Sequence, residues 1–197
     1  ISTSTPNDHI SAVARRFEVP VVVNPDPRGA ASDWNYGYDA AETPLVTIAH
    51  QDDYYEPNYL SAMLAAINSY KEDGLQLVFS DYFEIRNGER VAGNALLRIK
   101  RVLNAPLGTR ALNGSRFVKR RALSLGNPIC CPAVMLAKEN LGPSVFDETY
   151  KNSCDYKTWV DLASEPGRFV YVPECLMGHR IYEESSTSKN LKDGTRQ

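Results

Sequence analysis

The chain alternates short apolar runs with stretches in which apolar residues recur every three or four positions. After Pro6, Asn7 is placed to cap a helix in which Ile10, Val13, Ala14 and Phe17 share one face, ending near Glu18. Val19 to Val23, a β-branched run broken only by Pro20, predicts a short buried strand closed by the rigid loop Asn24-Pro25-Asp26-Pro27. A second helix, about Ser32 to Glu42, puts Trp34, Tyr38 and Ala41 on one side. Leu45 to Ala49 has no polar position except Thr47, as in a strand covered on both faces, and it stops at His50-Gln51-Asp52-Asp53. Pro57 suits the first turn of a third helix whose buried stripe is Leu60, Met63, Leu64 and Ile67, and Leu75 to Ser80 is the next buried strand, ending at Asp81. Past the turn signal Asn87-Gly88 the periodicity weakens. It returns in a helix from Asp155, with Tyr156, Trp159, Val160 and Ala163 inward, and a strand from Phe169 to Val172. Strands alternating with helices imply right-handed crossovers, hence an α/β fold with a mainly parallel central sheet between helices.

Composition agrees with a cored domain: 197 residues, 43% apolar and 23% charged. Ala122 to Ala137, a charge-free window, is interrupted by Gly126, Pro128 and Pro132, so nothing reaches the roughly 18 to 20 apolar residues of a membrane span. Ile1 to Thr5 has no signal-peptide character. Cys130, Cys131, Cys154 and Cys175 form no Cys-x-x-Cys pair, and a domain this long does not need disulfides, so reduced thiols and a cytoplasmic setting are expected. The net charge of −2 argues against a nucleic-acid partner, yet it conceals a division. Arg90 to Lys138 holds ten basic residues and no acid, whereas the remainder holds twelve basic and twenty-four acidic. Such a segment is either a solvated face or a field that attracts a diphosphate or an anionic acceptor.

In open α/β sheets ligands gather at the carboxyl ends of strands. His50, Gln51, Asp52 and Asp53 stand at such an end, and carboxylates beside an imidazole suit Mg²⁺ or Mn²⁺. The same acids also fit a loop ahead of a helix N-terminus. Asp155 stands where a capping carboxylate would, and His179 is a lone histidine; neither residue alone declares chemistry.

Taken in order, the segments resemble a family 2 glycosyltransferase with the GT-A nucleotide-sugar fold. The resemblance rests on Ser4-Thr5-Pro6-Asn7-Asp8, on Asn24 to Gly29 with Trp34-Asn35-Tyr36-Gly37, and on Thr47 to Pro57. Phe79-Ser80-Asp81-Tyr82, Phe146-Asp147-Glu148, Asp155 to Trp159 and His179 to Thr187 extend it, the last resembling a bacterial subgroup. It implies one catalytic domain over residues 1–197, with a nucleotide-sugar and metal half over 1–89 and an acceptor-side half over 90–197. It implies Asp155 as the base that deprotonates an acceptor hydroxyl, so that a single displacement inverts the sugar. Asp52, Asp53 and His179 are the implied metal set for Mn²⁺ or Mg²⁺. Ser4, Gly29, Asn35, His50, Gln51, Asp52 and Arg180 are implied contacts of the nucleotide-diphospho-sugar donor. A glycan or lipid-phosphate-linked acceptor in bacterial surface-polysaccharide synthesis, and peripheral association with the inner face of the membrane, complete the expectation.

The resemblance also places the start of this chain near the family's second strand, so the first strand and helix, one wall of the nucleoside pocket, are expected to be missing. The isolated 197 residues are accordingly expected to bind nucleotide-sugar poorly. Two other readings fit the same residues: a non-catalytic nucleotide-sugar or glycan-binding module of this fold, and a metal-dependent phosphohydrolase using His50, Asp52 and Asp53.

Overall fold

A computed structural model describes residues 1–70 and 74–182. The first part of the chain forms β1 (Ser2–Thr3), α1 (Asp8–Arg16), β2 (Val22–Val23), α2 (Ala30–Ala40), β3 (Leu45–Val46), β4 (Tyr54–Tyr55) and α3 (Tyr59–Asn68). The second part forms β5 (Leu75–Arg86), β6 (Glu89–Val91), α4 (Ala95–Asn104), α5 (Arg116–Leu123), β7 (Val134–Ala137), α6 (Cys154–Ser164) and β8 (Arg168–Ile181). The residues from Glu183 to Thr187 that close the last family-like motif lie outside the described residues.

The expected α/β architecture is present, with a sheet that is mixed. β1 and β2 pair in parallel as a separate two-stranded sheet, while six strands form the main one in the order β3-β7-β5-β8-β4, with β6 on β5. β5 and β8 are parallel and β3 points the same way, but β7 runs against them between β3 and β5. The parallel majority inferred from strand-helix alternation is diluted because β4 enters through a loop, β6 through a hairpin, and β7, after α4 and α5, inserts antiparallel to both β3 and β5. The hairpin turn is Asn87-Gly88, both residues at positive φ, as a tight hairpin turn requires.

Helices cover both faces. Tyr38, Phe146, Trp159 and Ala163 meet Leu77, Phe79 and Phe169 on one side; Tyr59, Met63 and Ile67 of α3 meet Val78, Met135 and Val170 on the other. Asn7 caps α1 as expected, its side chain accepting the Ile10 N–H at 2.9 Å. Three expected core positions are exposed instead. Phe17 ends α1 in solvent, and Leu60 and Leu64 face outward because α3 buries the i, i+4, i+8 stripe Tyr59, Met63, Ile67. Pro57 precedes the cap of α3 rather than opening its first turn. Val160 of α6 is likewise partly exposed, while Trp159 and Ala163 are fully buried.

Most of the basic segment is structural. Lys119 is fully buried and its ammonium donates to Gln76 Oε1 and to the carbonyls of Leu162, Glu165 and Gly167, tying α5 to the end of α6. Lys138 donates to the carbonyls of Tyr38, Asp39 and Ala41 at the end of α2, where unpaired carbonyls favour a cation. Arg101 pairs with Asp81, Arg90 with Glu56, Lys100 with Tyr82 Oη and Arg110 with the Ser69 carbonyl. A uniform field over residues 90–138 is therefore not what these cations build; Arg98, Arg116, Arg120 and Arg121 are the exposed remainder.

Candidate active site

Strand pairing assembles the site. β4 runs antiparallel to β8 with Tyr54 opposite Gly178 and Tyr55 opposite Met177, which brings Asp53, one residue before β4, to His179 and Arg180. Gly178 is required at this junction: a Cβ there would lie 2.7 Å from the Phe83 ring on β5. Asp53 has no exposed side-chain surface. Its Oδ1 faces His179 Nδ1 at 3.0 Å and accepts the Arg180 backbone N–H at 2.9 Å, and its Oδ2 lies 3.7 Å from His50 Nδ1. Burial opposes ionisation of Asp53, but the His179 and Arg180 hydrogen bonds and the two imidazoles outweigh it, so its carboxyl sits below the usual aspartate range.

Asp52 is held from the same strand. Tyr182 Oη donates to Asp52 Oδ2 at 2.8 Å, and Arg180 Nε donates to the Asp52 carbonyl at 2.9 Å. His50 stacks on Trp34 of α2, with ring centroids 5.0 Å apart and planes 23° from parallel. Burial pushes the His50 pKa down against the pull of Asp53 and Asp52, so the imidazole is neutral at neutral pH. Ligand atoms of His50, Asp52 and Asp53 lie within 4.8 Å of one another. Two of the group's polar atoms, His50 Nε2 and Asp53 Oδ2, are buried without a hydrogen-bond partner. Orphaned donor atoms in a set of one imidazole and two carboxylates are what a divalent ion such as Mn²⁺ would satisfy.

Asp155 is carried by α6. Ser153 occupies the N-cap position of that helix without a side-chain cap bond, so Asp155 lies in the first turn and is not the cap. Asn127, in the loop after α5, donates to Asp155 Oδ2 at 2.8 Å, and the Asn127 side chain is itself fixed by accepting the Ile129 N–H at 3.2 Å. Burial pushes the Asp155 pKa up, opposed by the N–H groups of Tyr156 and Asp155, by Asn127 and by the His50 imidazole.

The other expected donor contacts divide. Ser4 Oγ donates to Asp33, which also accepts from Asn24, so these residues join the ends of β1 and β2 to α2. Gly29 stands at the exposed start of α2 with φ of 124°, a conformation open to glycine. Gln51 is exposed. Asn35 is buried, its amide both donates to the Phe146 carbonyl and accepts the Phe146 N–H at 2.8 Å, and it reaches Glu148 as well, so that it clamps the 146–148 loop. It also lines an open groove of about 250 Å³ together with Asn24, Asp26, Arg28, Asp39 and Glu148 among others. Three side chains at the site carry no role in the sequence reading: Asn127, Tyr182 and Trp34. Asn127 reads only as a turn residue beside Gly126 and Pro128, and Trp34 only as one member of a helix face.

The mixed α/β sheet between two layers of helices is of the GT-A nucleotide-sugar transferase type. The profile of glycosyl transferase family 2 matches residues 3–141, and the chain belongs to that family. No curated protein matches it in sequence. Among solved structures it is similar to Staphylococcus aureus TarS 1-349 in complex with UDP-GlcNAc, at 15% identity and a TM-score of 0.60, over 94% of this chain and 50% of that one. It is also similar to glucosyl-3-phosphoglycerate synthase from Mycobacterium tuberculosis in complex with Mn²⁺ and UDP-glucose, at 17% identity and a TM-score of 0.52, over 96% of this chain and 63% of that one. The chain thus spans between half and two thirds of these structures. Among the described residues no helix is long and apolar enough to cross a membrane.

Proposed function

We propose that the chain is an inverting, metal-dependent glycosyltransferase that moves a sugar from a nucleotide-diphospho-sugar to a glycan or lipid-phosphate-linked acceptor in bacterial surface-polysaccharide synthesis, working at the inner face of the membrane. The observation that carries the reading is the pairing of two differently tuned aspartates: Asp53 held ionised in a set with His50, Asp52 and His179, and Asp155 desolvated and aimed by Asn127. The similar structures hold UDP-GlcNAc, or UDP-glucose with Mn²⁺, and support a nucleotide-diphospho-sugar as donor and Mn²⁺ as the ion.

Asp52, Asp53, His50 and His179 would hold Mn²⁺ or Mg²⁺, which neutralises charge on the departing diphosphate. Asp53 fixes the His179 ring through Nδ1 and so leaves Nε2 free, the arrangement by which a carboxylate orients a ligating histidine. Arg180, anchored to the Asp52 carbonyl, keeps guanidinium N–H groups in solvent for phosphate oxygens. Asp155 accepts the proton of the acceptor hydroxyl as that oxygen attacks the anomeric carbon on the side opposite the diphosphate. Its raised pKa makes it a stronger base than an ordinary aspartate.

The test is release of nucleoside diphosphate from UDP-sugars by the full chain with and without Mn²⁺. Asp52→Ala is expected to abolish Mn²⁺-stimulated release and to weaken Mn²⁺ binding by calorimetry at least tenfold. Release that is equal in chelator and in Mn²⁺ would remove the metal from the proposal.

A further inference from the structure

Two neighbouring helices of the acceptor-side half turn cations inward and leave large apolar side chains in solvent. In α4 the cations Lys100 and Arg101 point inward, to Tyr82 Oη and to Asp81, while Leu96, Ile99 and Val102 are 55%, 54% and 72% exposed along one stripe. In α5, which packs on α4, Lys119 is fully buried and Phe117 is 77% exposed. Leu125, just beyond α5, is 70% exposed. A helix in water buries its aliphatic face and exposes its lysines. Here Lys100, Arg101 and Lys119 turn inward beside the buried Leu97, Ala122 and Leu123, while Leu96, Ile99, Val102 and Phe117 are left to something outside.

The rim identifies that surrounding. Arg98, Arg116, Arg120 and Arg121 are exposed, and no acidic residue occurs between Arg90 and Lys138. None of these four arginines pairs with a carboxylate among the described residues; Arg121 meets only Ser124 Oγ. Apolar groups ringed by unpaired guanidinium groups match the interface of an anionic bilayer, which offers acyl chains at one depth and phosphates at the next. The patch also adjoins the site along the chain, since Leu125 is two residues from Asn127, which holds Asp155.

We infer that the outward faces of α4 and α5, with Leu125, form a docking surface for an anionic lipid bilayer, seating Phe117, Ile99 and Val102 among acyl chains and Arg98, Arg116, Arg120 and Arg121 among lipid phosphates. This rests on the reading of the acceptor as lipid-linked, and it specifies how that acceptor is met: its hydroxyl arrives from the bilayer side through the loop that carries Asn127.

The experiment is co-sedimentation of the full chain, without nucleotide, with phosphatidylglycerol-phosphatidylcholine vesicles and with pure phosphatidylcholine vesicles, at low and at high salt. Binding is expected to the anionic vesicles and to weaken at high salt. At about 1 kcal/mol per basic residue, the double variant Arg120→Gln/Arg121→Gln should bind about thirtyfold more weakly. Phe117→Ser should also bind more weakly at unchanged circular dichroism, since its ring touches solvent. Binding to neutral vesicles that equals binding to anionic ones, or none to either, overturns the proposal. So does a wild-type dimer in sedimentation velocity that Ile99→Ser dissociates, because a second copy would then cover the face. Asp155→Asn should sediment with vesicles like wild type, so loss of transfer and loss of lipid binding report separately.

Discussion

Burial opposes ionisation of both Asp53 and Asp155, yet the protein tunes the two aspartates in opposite directions. Around Asp53 the β4–β8 pairing supplies a backbone N–H and two imidazoles, and these overcome burial and hold the carboxylate ionised. Around Asp155 the Asn127 amide, two backbone N–H groups and His50 do not overcome burial, and the pKa rises. Desolvation opposes ionisation of both; two imidazoles added to the hydrogen bonds tip the balance at Asp53, and hydrogen bonds without them leave Asp155 the more basic carboxylate.

The difference is broken most strongly at Asp155. Asp155→Asn removes the base while keeping its shape and is expected to lower transfer by about 10²- to 10⁴-fold. The same variant should be more stable than wild type at pH 7. Because the folded pKa is raised, the native state binds more protons than the unfolded chain between about pH 4 and that folded value, so stability falls as pH rises through this window. Asparagine does not carry this penalty, so Tm at pH 7 should rise by a few degrees and the gain should vanish below about pH 4. Thermal scans at both pH values check the sign, and activity should rise with pH along a limb above the ordinary aspartate range. Undiminished turnover in this variant would remove Asp155 as the base.

At Asp53 the expected sign is reversed. Asp53→Ala strands the Arg180 N–H and the His179 ring and should destabilise by about 3 kcal/mol, lowering Tm by roughly 6 to 12 °C. The folded pKa of Asp53 is depressed, so its contribution is present above about pH 4 and is lost as pH falls through the folded value. The gap between wild type and Asp53→Ala should therefore narrow in acid, whereas the advantage of Asp155→Asn disappears there. A variant gap that stays constant down to pH 3 would show that Asp53 contributes packing and no charge.

Much of this architecture is legible from local pattern, because local rules govern it. Asn7 caps α1, Asn87-Gly88 turns the β5–β6 hairpin, and the apolar runs at Leu45 and Leu75 become strands. The site is less legible, because its contacts are set by register between distant segments. Asp53 and His179 are 126 residues apart and meet only because Tyr54 pairs with Gly178. Asn35 reaches Phe146, 111 residues away, with both ends of its amide, a contact no local pattern announces. The segment Ala95 to Asn104 gathers Leu96, Ile99, Val102 and Leu103 on one face, which periodicity alone would turn inward, yet Leu96, Ile99 and Val102 are exposed. Asp81 decides it by drawing Arg101 inward.

Asn127 offers the finest adjustment, since it is the side chain that keeps Asp155 from drifting further toward the neutral form. Asn127→Ala removes a donor to a carboxylate, a bond that helps the charged state, so the pKa of Asp155 should climb and the acid limb of the kcat profile should move to higher pH. The expected loss in kcat is about tenfold on the acid limb, the worth of one charge-assisted hydrogen bond, and smaller on the plateau. Asn127 acts through Asp155, which makes it a positioning residue. If it served only to hold the loop after α5, the variant would lower kcat by the same factor at every pH and leave the limb where it was. A displaced limb with KM for the donor unchanged is the outcome that assigns Asn127 to tuning the base.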